Sequence, residues 1–173
     1  MDSNVTIRLA GTEDWQAIIN IYNQGIDDGC NAFTRHISVE THRGWLEMHD
    51  GNGHALYVAE SRGKVIGWIS LSPYRKERLA FSKTAETSYY IDRQYRNRQI
   101  GSSLMAYVLK RARESGFHVL VAFLLDINLP SVALLEKYGF TRWGHLLAVA
   151  DFEGRIVGQF IYGIHFTDVS GSR

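Results

Sequence analysis

Apolar residues recur at Trp15, Ile18, Ile19, Tyr22 and Ile26, a spacing of i, i+3, i+4, i+7 and i+11. That is a single stripe along an α-helix. Thr12 is placed to cap it, with Glu13 and Asp14 against its positive end. A second helix opens at Ser38, carries Trp45, Leu46 and Met48, and ends near Asp50 and Gly51. A third covers residues 100–114, with Ile100, Leu104, Met105, Val108, Leu109 and Ala112 on one side. A short fourth covers residues 130–138. Pro130 sits in its first turn, where a missing N–H costs nothing, and Gly139 can close its far end.

Elsewhere the pattern is that of strands. Residues 5–9, 54–60, 65–71, 84–91, 140–149 and 155–166 read as strands, and residues 61–64 as a hairpin turn. Residues 119–125 are apolar throughout, as expected of a strand covered on both faces. The order is β-α-α-β-β-β-α-β-α-β-β. Its central strand–helix–strand unit implies a parallel pair within a mixed sheet, with helices over both faces. The expected fold is one α/β domain over residues 1–166, with about seven strands and four helices. Residues 167–173 are small and polar and read as a frayed tail.

Composition narrows the class. The 173 residues are 45% hydrophobic and 12% aromatic, which argues against disorder. The formal charge of +1 does not suggest a nucleic-acid binder. The single cysteine, Cys30, excludes an internal disulfide and a cysteine-built metal site. Histidines and carboxylates lack metal-ligand spacing, so no metal is expected. No apolar run approaches a bilayer span, and the first residues carry no secretory pattern. The expectation is a soluble, cytoplasmic protein with neither membrane nor nucleic acid as partner.

The chemistry concentrates in residues 84–112, where a strand enters a short polar loop that runs into a helix at Gly101, Ser102 and Ser103. The first N–H groups of a helix lack internal partners and carry partial positive charge. This is a candidate phosphate cradle, reinforced by Arg96 and Arg98; the alternative is a capped helix with two solvated arginines. Alternation puts Glu86, Ser88 and Tyr90 on one strand face. Glu86 lies about 13 Å upstream of Tyr90, so a ligand held at the loop can lay its reactive end along this strand. The alternative for Glu86 is a solvated edge carboxylate.

At this point the chain resembles the GNAT N-acetyltransferases. Residues 96–104, RNRQIGSSL, are similar to that superfamily's pyrophosphate signature. Asn128, Ser131, Leu134, Lys137, Gly139 and Phe140 are similar to its second acetyl-CoA motif. Further likeness is to the phosphinothricin and methionine sulfoximine acetyltransferases. It covers nearly the whole chain, including Tyr22-Asn23, Phe33, Tyr74-Arg75, Phe81, Thr84-x-Glu86-x-Ser88-x-Tyr90 and Gly144-His145-Leu146.

The resemblance implies that main-chain groups from Asn97, Arg98, Gln99, Ile100, Gly101 and Ser102 hold the pyrophosphate of acetyl-CoA, the acetyl donor. Tyr89, Tyr90 and Ile91 would follow the pantetheine arm and acetyl carbonyl, with Asn128 opposite. It implies Glu86 as general base, and Phe33, Arg75 and Phe81 around a small-molecule amine. It also implies a homodimer. Two positions depart from the pattern. Gln99 replaces the signature's first glycine, where φ > 0 is easy. Leu135 stands where many relatives carry Tyr or His as general acid, and leucine donates no proton.

The reaction expected is direct acetyl transfer, without a covalent enzyme intermediate, because Cys30 has no evident activating partner. His145 reads as a structural residue. The acceptor is read as an amino acid or analogue such as methionine sulfoximine or phosphinothricin. A peptide N-terminus, polyamine or antibiotic amine stays open, as does a non-catalytic acetyl-CoA sensor. A nucleotide-binding domain would need a Gly-x-Gly-x-x-Gly turn or a Walker lysine, and neither is present.

Overall fold

The computed structural model describes residues 5–49, 51 and 53–166. In chain order the elements are β1 (Val5–Leu9), α1 (Trp15–Asp27), α2 (Val39–Glu47), β2 (Ala55–Ser61), β3 (Lys64–Pro73), β4 (Thr84–Glu86), β5 (Tyr89–Ile91), α3 (Ile100–Glu114), β6 (Val119–Leu125), α4 (Leu129–Lys137), β7 (Thr141–Phe152) and β8 (Arg155–His165). One mixed sheet runs β1-β2-β3-β4-β6-β8-β7, and β5 also pairs with β3. All pairings are antiparallel except β4 with β6, the pair joined through α3. That is the parallel pair the sequence pattern requires.

The strand expected over residues 84–91 is divided, which brings the count to eight. Through Glu86 it pairs with β3 on one side and β6 on the other. The Thr87 N–H still donates to the Val121 carbonyl, at 2.9 Å. Beyond that point the chain keeps its register along β3, with Tyr89 opposite Ile69 and Tyr90 opposite Trp68, and leaves β6. Ser70 helps to hold this path: its N–H donates to the Ser88 carbonyl at 2.8 Å, and its Oγ accepts the Ser88 N–H at 3.2 Å. The sheet therefore opens into a wedge between β5 and β6.

Both faces of the sheet are covered. Ile100, Leu104, Met105 and Val108 of α3, with Leu135 of α4, bury against Ile69, Leu71, Ala85 and Leu120. On the opposite face Ile18, Ile19 and Leu46, from α1 and α2, bury against Leu56, Val58 and Trp68. The Trp68 indole is fully buried, and its Nε1 donates to the Ile18 carbonyl at 3.1 Å, so its one polar group is satisfied.

Local signals explain most boundaries. Ser38 caps α2 through Oγ, which accepts the Thr41 N–H at 3.3 Å. That helix stops at Glu47, short of the expected end; Asp50 lies outside the described residues. Gly139, at φ 84°, closes α4: its N–H donates to Glu136 and that of Phe140 to Leu135. Thr12 does not cap α1. It lies in a short 3-10 turn, where the Asp14 carboxylate accepts the Gly11 N–H at 2.8 Å. Arg8 contacts Asp14 at 2.6 Å and Glu60 at 2.7 Å, and its hydrogen bond holds the Asp14 carboxyl below the usual range. Residues 167–173, read above as a tail, lie outside the described residues.

Candidate active site

The wedge between β5 and β6 is a cleft of about 650 Å³. β5 forms one wall, and Ala122, Phe123 and Leu124 of β6 the other. Leu134 and Leu135 of α4 reach it from one face, and Gly25 of α1 from the other. The loop entering α3 lies along it, including Asn97 and Gln99.

Strand register determines which main-chain groups face this space. Ser70 donates to Ser88, and Asp92 to Ile66. In an antiparallel ladder the hydrogen-bonded residues alternate, so Ser88, Tyr90 and Asp92 turn their main-chain groups toward β3. Those of Tyr89 and Ile91 turn the other way, into the wedge. The Ile91 carbonyl accepts from Arg96 Nε at 3.3 Å on that side. The cleft wall thus offers the N–H groups of Tyr89 and Ile91, whereas Tyr90 turns its own toward β3.

At the mouth, Gln99 precedes α3 with φ 64° and ψ 8°, in the left-handed region. The first helical bond runs from the Ser103 N–H to the Gln99 carbonyl at 3.0 Å. The N–H groups of Ile100, Gly101 and Ser102 therefore have no helical acceptor. Such an arrangement can cradle an anion, and two cationic side chains lie nearby. Lys137 Nζ reaches Ser102 Oγ at 3.0 Å. Arg96 lines the cleft and is held at 2.6 Å by Asp28, which also binds Arg93 at 2.6 Å. Burial pushes the Asp28 carboxyl up, but its hydrogen bonds to Arg96 and Arg93 outweigh this and hold it low. Asp28, just past the end of α1, anchors the loop.

Glu86 stands where the wedge closes, opposite Ser72 on β3 and Val121 on β6. It is half-buried and accepts no hydrogen bond among the described residues. Burial alone raises its carboxyl above the ordinary glutamate range. Tyr90 packs against Tyr22 of α1 at 4.8 Å, and strand alternation sets Glu86 on that same side. Thr87, beside it, lines the cleft and is 2% exposed. Its Oγ1 has no hydrogen-bond partner among the described residues. A buried unsatisfied hydroxyl costs about 1–3 kcal/mol.

The remaining titratable groups are engaged. The Tyr89 hydroxyl donates to the Ser131 carbonyl at 3.3 Å, and burial pushes its pKa up to about 12. The Tyr138 hydroxyl donates to the Ser102 carbonyl at 2.7 Å. Tyr90 is also raised by burial, and its hydroxyl accepts from Asn31 at 2.6 Å. Burial pushes the Cys30 thiol up, which disfavours a thiolate nucleophile. His145 lies outside the cleft lining, 2.9 Å from Asp126 and packed on Phe160. Among the described residues no group of three or more His, Cys, Asp or Glu could hold a metal ion.

Nine of the residues singled out from the sequence meet in the cleft, whereas Glu86, Phe33, Arg75 and Phe81 lie outside its lining, Glu86 directly beside the lining residue Thr87. Tyr89, Tyr90, Ile91, Asn97, Gln99, Ile100, Gly101, Ser102 and Asn128 all line the cleft. Arg98 does not; its guanidinium lies over the Tyr95 ring at 5.4 Å. Phe33 packs against Tyr22 at 6.0 Å, and its N–H donates to Asn31, which also holds Tyr90. Arg75 lies over the Tyr74 ring at 5.7 Å. Tyr74 in turn stacks on Phe123 and meets Phe81 edge-on. Phe81, Lys76 and Arg78 line a second cavity of about 310 Å³. Sequence reasoning missed Gly25, Asp28, Thr87 and the placement of Lys137. A glycine interrupting an amphipathic helix was a visible cue for the first; nothing local marks Asp28.

Known proteins share the sequence pattern and the fold. The model of the Acetyltransferase (GNAT) family matches residues 15–140. YwnH of Bacillus subtilis (strain 168) is 37% identical over 153 residues, covering 87% of this chain and 93% of its own. The L-methionine sulfoximine/L-methionine sulfone acetyltransferase of Salmonella typhimurium is 30% identical over 138 residues, covering 79% of this chain and 80% of its own. The structure of yncA from Salmonella typhimurium, solved with its cofactor acetyl-CoA, has a TM-score of 0.89 and 26% identity, and covers 98% of both chains. The chain belongs to the GNAT acetyltransferase family and is an acetyl-CoA-dependent N-acetyltransferase.

Proposed function

We propose that this enzyme acetylates the primary amine of a small amino acid or analogue, such as methionine sulfoximine or phosphinothricin, with Glu86 as general base. One observation carries the reading. The cleft that joins an anion cradle to two inward N–H groups closes beside a half-buried carboxylate with no partner.

The residues suit acetyl-CoA as co-substrate. The N–H groups at the start of α3, with Lys137 and Arg96, hold its diphosphate. Tyr89 and Ile91 donate along its arm, and Asn128, whose Oδ1 accepts from Ser131, keeps an NH2 to donate. When bound, it supplies an activated acetyl group. Glu86, directly or through a water, takes a proton from the incoming ammonium and frees the nitrogen lone pair. The Tyr89 N–H, nearest the closed end, stabilises charge developing on the acetyl oxygen. Alignment of the two reactants supplies much of the remaining acceleration.

Tyr74 supports the acceptor assignment, since it joins the cleft wall at Phe123 to Phe81 and Arg75. An arginine there can clamp a carboxylate or phosphinate through two parallel hydrogen bonds. Cytoplasmic placement and a homodimer belong to the same proposal. β7 is an edge strand, and Leu146, Leu147 and Val149 on it are exposed. A second copy covers that apolar edge.

The test is thiol release from acetyl-CoA with methionine sulfoximine, phosphinothricin, polyamines and short peptides. The expected result is fastest turnover with the amino-acid analogues, and loss of that preference in Arg75→Ala. Faster turnover with polyamines or peptides overturns the acceptor assignment.

A further inference from the structure

We propose that the Thr87 hydroxyl donates a hydrogen bond to the departing sulfur of the acyl donor, the function that Leu135 leaves vacant. The inference rests on the reading above, with acetyl-CoA in the cleft and Glu86 as base.

Thr87 Oγ1 is the one side-chain oxygen or nitrogen found buried without a partner among the described residues. The residue's N–H is already committed to Val121, whereas its hydroxyl remains to be satisfied. It sits at the closed end, where the strand parts from β6. Glu86 precedes it, so the two side chains leave opposite faces of the strand. An amine activated by Glu86 meets the acetyl carbon at this end. The sulfur then trails away from Glu86, toward the side where Thr87 and Leu135 both line the cleft. Two nearby tyrosines are occupied: Tyr89 donates to Ser131 and Tyr138 to Ser102. Tyr90 leaves the same strand face as Glu86, away from Thr87.

The step balances without another reagent. The N–C bond forms as the C–S bond breaks, and sulfur leaves with the electron pair. The ammonium sheds two protons in all. One passes through Glu86 to solvent, and the other ends on sulfur as free thiol. Thr87 keeps its own proton and contributes only the hydrogen bond, which strengthens as charge grows on sulfur.

The test compares Thr87→Val, which keeps the shape without the hydroxyl, with Thr87→Ser, which keeps the donor. Acetyl thioesters of pantetheine analogues with graded thiol pKa serve as donors beside acetyl-CoA. Thr87→Val is expected to lower kcat with acetyl-CoA about tenfold to a hundredfold. The loss should shrink as the leaving thiol becomes more acidic, and Thr87→Ser should restore turnover. The ligand-free Thr87→Val protein should melt at the parent temperature or about 2–4 °C higher, since it buries no orphaned hydroxyl. An unchanged kcat in Thr87→Val overturns the proposal. So does a loss that is uniform across leaving groups, which marks a packing role. Failure of the underlying reading shows differently: the unmodified enzyme then releases no thiol with any amine, or Glu86→Gln keeps parental turnover, and the Thr87 assignment falls with it.

Discussion

Glu86 and Gly25 act through their immediate surroundings. As the proposed base, Glu86 must be ionised to accept a proton, and burial raises its pKa. Activity should therefore rise with pH through a midpoint above the ordinary glutamate value of about 4.3. Glu86→Gln should remove that acid limb and lower kcat by about 10²-fold or more, measured by thiol release across pH. A raised carboxyl pKa costs stability once the group ionises. The cost is absent below the unfolded pKa and complete above the folded one. At pH 7 the Gln variant should thus melt no lower than the parent, which separates lost chemistry from lost fold. Gly25 lets α1 approach the sheet, because a Cβ there would overlap the Tyr90 ring. That ring is held by Asn31 and packed against Tyr22 and Trp68, so it has little room to yield. Alanine favours a helix by up to about 1 kcal/mol over glycine, but overpacking costs about 1–3 kcal/mol. The net loss of about 1 kcal/mol should lower the Tm of Gly25→Ala by about 2–4 °C, read by calorimetry.

Among the elements, the start of α3 carries the cradle, and its alignment depends on Gln99. The sequence showed a side chain where glycine is expected; the structure resolves this with a left-handed Gln99 whose main chain still begins the helix. Gln99→Gly should accept the same φ without steric strain, changing stability by no more than about 1 kcal/mol and KM for acetyl-CoA by less than about threefold. Gln99→Pro should raise that KM about tenfold or more, because proline holds φ near −65° and removes an N–H. Equal KM values in the two variants would remove the cradle from acetyl-CoA binding. Most of this element was legible beforehand, since a helix start announces itself through local spacing. The anchor was not: Asp28 lies 65 residues before Arg93 in sequence, and only folding brings them together.

For the whole molecule, the split sheet makes the cleft, and the exposed edge at β7 completes the proposed assembly. Sedimentation equilibrium should find the parent at twice the chain mass. Leu147→Glu with Val149→Glu should give single chains, because two charges cannot share an apolar contact without desolvation. A parent that sediments as a single chain would remove the second copy from the proposal.

The sequence by itself determined the order of elements, the parallel pair at the centre and the residues around the cradle. Helix stripes, caps and glycine stops are local, and local propensities survive in a one-dimensional reading. Tertiary structure alone decided that residues 84–91 part from β6 at Thr87, and hence which amides face the cleft. The strand's own sequence carries no mark of this, because the break depends on Ser70 from another strand and on where β6 ends its pairing. The same holds for the unpartnered Thr87 hydroxyl and the desolvated Glu86. Burial belongs to the packed molecule, not to a residue, and it sets the chemistry that each side chain can perform.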